Sequence, residues 1–315
     1  MKEKNQLNPG RKQPLILEIK GNALDDGPGI RSVVFFKGCP LSCAWCHNPE
    51  SKRVGVEIGF EANKCVGCDT CIGVCPENAL SRVNPFFVDR TACSLCFQCV
   101  KNCPSGALER IGRPMAVEDV VATVVRDKSF YDTSGGGVTL SGGEPTLFMD
   151  YTADLLRLLK AQGIHTLVET CGLFDIDAFT EKLLPWIDTI YFDIKIMDPA
   201  DHKRFCGASN ETILKNFKVL HEWAQNGGAE VLARTPLIPD ITDTPENLEA
   251  VAAFLKQCGA DKARLLPYHP LWKQKKFKIG IADPAGQNPK SMDAFQDETA
   301  LQNCRSIFET AGITL

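Results

Sequence analysis

Between residues 115 and 270 the chain alternates two hydrophobic rhythms. Segments with apolar residues three and four apart ("AVEDVVATVVRD", "MDYTADLLRLLKAQG", "NETILKNFKVLHEWAQ", "PENLEAVAAFLKQ") are separated by short apolar runs ("GVTL", "HTLVET", "TIYFDIK", "EVLARTPLIP", "ARLLPYH"). The first rhythm predicts amphipathic helices and the second predicts strands buried on both faces. A further helix is predicted near 177–184, and with the "VVFF" run at 33–36 there are six strand units. Such alternation implies a parallel sheet or barrel. The predicted strands end in polar groups: Ser141-Gly142-Gly143-Glu144, Glu169-Thr170-Cys171, Asp193 with Lys195, the Arg-Thr-Pro of 234–236, and Tyr268-His269. In β/α barrels the carboxyl ends of the strands form the active-site face. The pattern alone therefore gathers the candidate chemistry there.

Between 55 and 109 the rhythm stops and cysteines take over. The runs "CVGCDTCIGVCP" (Cys65, Cys68, Cys71, Cys75) and "CSLCFQCVKNCP" (Cys93, Cys96, Cys99, Cys103) both fit C-x2-C-x2-C-x3-C-P. Three thiolates two residues apart grip one cubane, and the fourth, beside proline, reaches the other cluster. This predicts one set of Cys65, Cys68, Cys71 with Cys103, and another of Cys93, Cys96, Cys99 with Cys75. Zinc sites instead use two C-x2-C pairs with a longer spacer. The stretch resembles a bacterial ferredoxin with two [4Fe-4S] clusters, and "CPENAL" answering "CPSGAL" marks a weak internal repeat.

Composition narrows the setting. The 315 residues include 15 cysteines, an odd number that sits poorly with a disulfide framework. The stretch "MKEKNQLNPGRK" has no apolar core and no window has 18 consecutive apolar residues, so a cytoplasmic protein without membrane contact is expected. Reduced thiols there favour metal binding. A net charge of −4 argues against a nucleic-acid partner. The short basic run "KQKKFK" (Lys273 to Lys278) is expected to be a solvated face.

"GCPLSCAWCHNPES" has a different spacing: Cys39, Cys43 and Cys46 form C-x3-C-x2-C, three thiols with no obvious fourth. A [4Fe-4S] cubane held by three cysteines keeps one iron open, and an open metal position is where chemistry happens. With "DGPGIR" before it and "SGGGVTLSGGEP" after it, the chain resembles the radical S-adenosylmethionine superfamily, and within it the glycyl radical enzyme activating enzymes with a ferredoxin-like insert. The resemblance implies an α/β fold: a partial (β/α)6 barrel from residues 1–54 and 110–315, interrupted by an α+β insert at 55–109. It implies three [4Fe-4S] clusters and S-adenosylmethionine, whose reductive cleavage gives a 5′-deoxyadenosyl radical that takes a Cα hydrogen from a glycine of a partner enzyme.

The same resemblance assigns roles. Trp45 packs on the adenine, and His47 flanks the last ligand. Gly142 and Gly143 admit the amino end of S-adenosylmethionine, and Glu144 accepts from its ammonium. Lys195 meets its carboxylate, with Asp193 orienting the lysine, and His269 lies near the ribose. Glu169 matches a carboxylate, commonly aspartate, that in some members also holds a monovalent cation; the longer side chain departs from that pattern. Asp26 and Arg31 are expected to face the protein substrate. Cys171, Cys206, Cys258 and Cys304 are expected to be small buried hydrophobes. The implied partners are a glycyl radical enzyme and a flavodoxin or ferredoxin as electron donor, with the chain itself a monomer. One rival is a radical enzyme acting on a small molecule or another peptide. A second rival, a pure electron carrier, would need only residues 65–103.

Overall fold

The computed structural model describes residues 13–282 and 290–315; the polar stretch 1–12, for which no signal segment is expected, lies outside them. The strands are β1 (Leu15–Ala23), β2 (Arg31–Lys37), β3 (Glu57–Phe60), β4 (Leu108–Ile111), β5 (Arg113–Pro114), β6 (Gly137–Gly142), β7 (His165–Thr170), β8 (Thr189–Asp193), β9 (Glu230–Leu237) and β10 (Ala263–Pro267). The helices are α1 (Thr70–Gly73), α2 (Gln98–Lys101), α3 (Val117–Val124), α4 (Lys128–Ser134), α5 (Met149–Ala161), α6 (Ile176–Lys182), α7 (Pro199–Cys206), α8 (Glu211–Gln225), α9 (Pro245–Gln257), α10 (Trp272–Lys278) and α11 (Glu298–Thr310).

Eight strands form one sheet in the order β10-β9-β8-β7-β6-β2-β1-β5. The six from β2 to β10 in that row are mutually parallel; β1 and β5 add an antiparallel edge. The fold is thus α/β with a mostly parallel sheet. Its strands read as unbroken apolar runs because both faces are covered: Val138, Leu140, Leu167, Val168, Ile190 and Phe192 are fully buried. Helices start where the sequence supplies caps. Asp175, Asp198, Thr244 and Asp297 each accept the backbone N–H three residues on, worth about 1 kcal/mol per helix.

Residues 57–111 make a smaller body with its own core of Ile58, Phe60, Leu80, Phe87, Val88, Ala107 and Leu108. β3 and β4 pair antiparallel across its base. The internal repeat has a backbone counterpart. Asp69 and Phe97, the residues between the second and third cysteines of each run, both take left-handed backbone, as do Asn78 and Gly106 after each Cys-Pro.

The basic run 273–278 is not a solvated face. It folds as α10 and latches the small body to the 39–52 loop. Trp272 is fully buried and carries the Lys276 ammonium over its ring at 4.1 Å. Lys275 donates to Asn48 Oδ1 at 2.9 Å, and Lys278 pairs with Glu61 at 2.7 Å and with Glu109. Sequence patterning missed this because the apolar contacts of the helix come from residues far apart in the chain.

Candidate active site

The 39–46 loop is pinned from two sides by main chain. The N–H groups of Ser42 and Ala44 donate to the carbonyls of Cys206 and Phe205 at 2.8 and 2.9 Å, where α7 ends, and Cys39 N–H donates to Lys52 O at 3.1 Å. The Lys52 ammonium returns to Cys43 O at 2.7 Å. The loop therefore presents Cys39, Cys43 and Cys46 on one wall of a cavity of about 560 Å³. That lies within the usual range for small-molecule sites, about 300–1,000 Å³. Trp45, His47, Gly142, Gly143, Glu169, Cys171, Asp193, Lys195, Arg234 and His269 also line it. These come from the ends of all six parallel strands. Flat, six strands would span about 24 Å, so convergence on one cavity requires the sheet to curl around it.

Gly142 and Gly143 are needed by the chain itself. A Cβ on Gly143 would stand 2.1 Å from Gly38 O, and one on Gly142 2.7 Å from Phe36 N. Bare backbone here lets the end of β6 close on the end of β2, and Gly143 N–H donates to Phe36 O at 2.8 Å. Glu144 departs from the expected role. It is 1% exposed and does not line the cavity. One carboxylate oxygen accepts from Thr146 N, Thr146 Oγ1 and Thr170 Oγ1, and the other from Cys171 N at 2.8 Å. A carboxylate buried this deeply is stable only when so satisfied, and its work is to brace the turn after β6 against the end of β7.

Arg31 also departs from expectation. It begins β2, at the opposite end of the strand from the cysteine loop, and is fully buried. Its guanidinium donates to Thr139 Oγ1 at 2.7 Å and Val138 O at 2.8 Å. Burial pulls its pKa down to about 10. It closes the far end of the sheet and cannot meet a protein substrate. At the mouth, Asp25 lines the cavity instead of Asp26, and Arg264 joins it from β10.

Asp193, Lys195, Glu169 and Arg234 form one network. Lys195 Nζ donates to Asp193 Oδ2 at 2.8 Å. Arg234 Nε and Nη2 both donate to Asp193 Oδ1, at 2.9 and 2.8 Å, while Nη1 meets Glu169 Oε1. Ser141 Oγ donates to Glu169 Oε2 at 2.6 Å. Burial alone would raise the Asp193 pKa, but Arg234 and Lys195 hold it below the ordinary value. Burial opposes charge on Lys195 as well, and the facing Asp193 carboxylate overrides it and keeps the ammonium well above its usual pKa. Sequence reasoning noted Arg234 only as part of a strand end. The available signal was a charged residue inside an apolar strand, which Asp193 faces in register from β8.

His47 and His269 stack at 4.0 Å. Burial, and each other's company, lower the His47 pKa to about 4; burial and Lys275 lower that of His269. Both are neutral at neutral pH. His47 Nε2 and His269 Nδ1 are buried with no hydrogen-bond partner among the described residues. Orphaned polar atoms of this kind are costly and fit a ligand rich in hydroxyls and ring nitrogens.

Cys206 and Cys171, expected to be inert, touch the cysteine loop. Cys206 hydrogen-bonds Cys43, whose pKa falls to about 7 with help from the Lys195 and Lys52 ammoniums; Cys171 hydrogen-bonds Cys39. Cys46 is pushed up to about 12 by burial. In the small body, one cavity of about 20 Å³ is lined by Cys65, Cys68, Cys71 and Cys103. A second, of about 10 Å³, is lined by Cys75, Cys93, Cys96 and Cys99. Among the described residues no three His, Cys, Asp or Glu side chains close on a single metal ion.

The three-thiol loop, the curled parallel sheet and the match of residues 33–255 to the radical SAM superfamily agree. The chain belongs to the radical SAM superfamily, among the activating enzymes of glycyl radical enzymes. It is 40% identical to the trans-4-hydroxy-L-proline dehydratase activating enzyme of Clostridioides difficile, over 84% of this chain and 88% of that one. It is 37% identical to the benzylsuccinate synthase activating enzyme of Thauera aromatica, over 86% and 83%. A radical SAM methyltransferase from Sphaerobacter thermophilus shares the fold, with a TM-score of 0.52 at 13% identity over 96% of this chain and 76% of that one. Among the described residues no helix of the activating enzyme is long and apolar enough to cross a membrane.

Proposed function

We infer that the cavity binds S-adenosylmethionine beside a [4Fe-4S] cluster held by Cys39, Cys43 and Cys46, and that the chain activates a glycyl radical enzyme. The observation that carries this is the placement of three loop thiols on the wall that also holds a cationic pair and two unpartnered imidazoles. Held by these three thiols, the cluster would supply the one electron that splits S-adenosylmethionine into methionine and a 5′-deoxyadenosyl radical, the species that would remove a Cα hydrogen from a partner's glycine. Lys195 meets the methionine carboxylate, and Arg234 holds the Asp193 carboxylate that orients the lysine. The backbone at Gly142 and Gly143 borders the amino end, Trp45 packs on the adenine, and His47 with His269 takes up the ribose and ring polar atoms.

The small body is read as a ferredoxin-like insert with two further [4Fe-4S] clusters. The grouping of thiols around its two cavities supports the crossed pairing, since each groups the first three cysteines of one run with the last of the other. Low-potential clusters of this type suit transfer from a flavodoxin or ferredoxin to the main site. The chain would work as a monomer in the cytoplasm. A glycine loop of the partner enters past Asp25 and Arg264.

The deciding experiment is anoxic incubation of the reduced, cluster-loaded enzyme with S-adenosylmethionine and a candidate glycyl radical enzyme. A glycine-centred radical seen by electron paramagnetic resonance is expected. Cleavage of S-adenosylmethionine with no protein radical on any such partner would favour action on a small molecule. No cleavage would defeat the reading outright.

A further inference from the structure

The resemblance in sequence pattern implies, for some members, a monovalent cation beside the carboxylate at the Glu169 position, but the residues of this chain do not fit one. All four carboxylate oxygens of Glu169 and Asp193 already face a donor. Glu169 Oε1 meets Arg234 Nη1, and Glu169 Oε2 accepts from Ser141 Oγ at 2.6 Å. Asp193 Oδ1 accepts from Arg234 Nε and Nη2, and Asp193 Oδ2 from Lys195 Nζ at 2.8 Å. Two carboxylates thus stand against two fixed cations, and the local charge is balanced. The Arg234 and Glu169 side chains are only 8% and 14% exposed, so little solvent screens an additional like charge.

We propose that Arg234 is the resident cation of this site: its guanidinium bridges Glu169 and Asp193 where a bound monovalent cation would otherwise sit, so that the chain takes up S-adenosylmethionine independently of sodium or potassium. The geometry explains why Glu169 is the longer acid. The guanidinium is anchored in register on Asp193, from the neighbouring strand, and the acid two strands away must reach across to its free edge. A planar fork can hold two carboxylates at once, whereas the point charge of a lysine cannot bridge them in the same way. The Arg234 guanidinium carbon also lies over the Tyr191 ring, 5.1 Å from its centre. It is a positioning residue for Glu169 and Asp193, and through Asp193 for Lys195.

This inference rests on the cavity being the S-adenosylmethionine site, and two measurements separate the two. The first needs no nucleotide: thallium(I), a potassium surrogate, is titrated into anoxic cluster-loaded enzyme and followed by ²⁰⁵Tl nuclear magnetic resonance. No saturable site is expected. A saturable site lost in Glu169→Gln overturns the proposal whatever the nucleotide does. The second compares the dissociation constant of S-adenosylmethionine in potassium chloride and in choline chloride at equal ionic strength. Agreement within about twofold is expected, and a difference of about tenfold or more overturns it. Arg234→Met sharpens the result. Its affinity should fall by about tenfold in choline and recover in part when potassium is added, while Arg234→Lys recovers less of the cation independence. Should Arg234→Met not fold, the wild-type salt exchange still decides. Failure of the wild type to bind S-adenosylmethionine in any salt would sink the site assignment, with the thallium measurement still judging the cation.

Discussion

We read the two cysteine-rich regions of this chain as using the same side chain to opposite ends. In the small body, eight thiols divide into two sets of four around cavities of about 20 and 10 Å³, packed among Phe60, Phe87, Leu80 and Leu108. In the 39–46 loop, three thiols border a cavity of about 560 Å³ that also holds Lys195, Arg234, Glu169, Asp193 and two histidines. A complete set of donors in a small apolar shell leaves a metal group nothing to do but hold charge. A set one donor short, beside a large polar space, leaves room for a substrate to complete it. The number of ligands and the polarity of the neighbouring space, not the cysteines as such, separate storage from chemistry.

The sharpest way to break this contrast is to remove one thiol from each region. Cys43→Ala should lower S-adenosylmethionine cleavage by on the order of a thousandfold or more, read as 5′-deoxyadenosine formed under dithionite. Cys68→Ala should leave nucleotide binding in place. Equal losses would mean that the two regions are not functionally distinct. Next in size is the crossed pairing. Cys75→Ala should cost the iron held at Cys93, Cys96 and Cys99 while the Cys65 site stays assembled, measured by iron content and Mössbauer spectra; loss confined to the Cys65 site would refute it.

A smaller effect is expected from the histidine pair. His269→Ala should weaken S-adenosylmethionine binding by about tenfold, the cost of leaving polar partners unsatisfied, with iron content unchanged. Smaller again, Cys171→Ala should keep the full iron content of the main site, because Cys171 serves Cys39 as a hydrogen-bond neighbour. Loss of one cluster's iron there would make it a fourth ligand and close the open position. The smallest expected effect is none. Asp193 has a folded-state pKa below its ordinary 3.8, so its ion pairs contribute fully above that value and are lost only as pH falls through the lowered one. Binding controlled by this network should therefore be flat from about pH 8 to about pH 5; a step near pH 6 in isothermal titration would contradict the assignment.

Much of the architecture was legible in the chain. The alternation of helical and strand periods marked six parallel strands, and the five parallel ladders that join β2, β6, β7, β8, β9 and β10 match it. The cysteine spacing and the motifs at strand ends pointed to the radical SAM superfamily, which the comparison supports. Glu144 was misread because a glutamate after two glycines looks the same whether it faces a ligand or a threonine hydroxyl. Arg31 was misread because "DGPGIR" does not disclose which end of the strand its arginine seals. The run at 273–278 looked solvated because lysines dominate it, yet Lys276 is buried together with the preceding Trp272.

Local spacing determined what the chain could hold: how many thiols stand within reach of one another, and where strands stop and helices begin. Those are properties of a few neighbouring residues and of the fixed geometry of the backbone. Tertiary structure alone decided which two imidazoles stack, and that Arg234 lies between Glu169 and Asp193. Such meetings join residues many turns of chain apart, and only the curl of the sheet and the burial of its faces bring them into one low-dielectric space where their charges must balance.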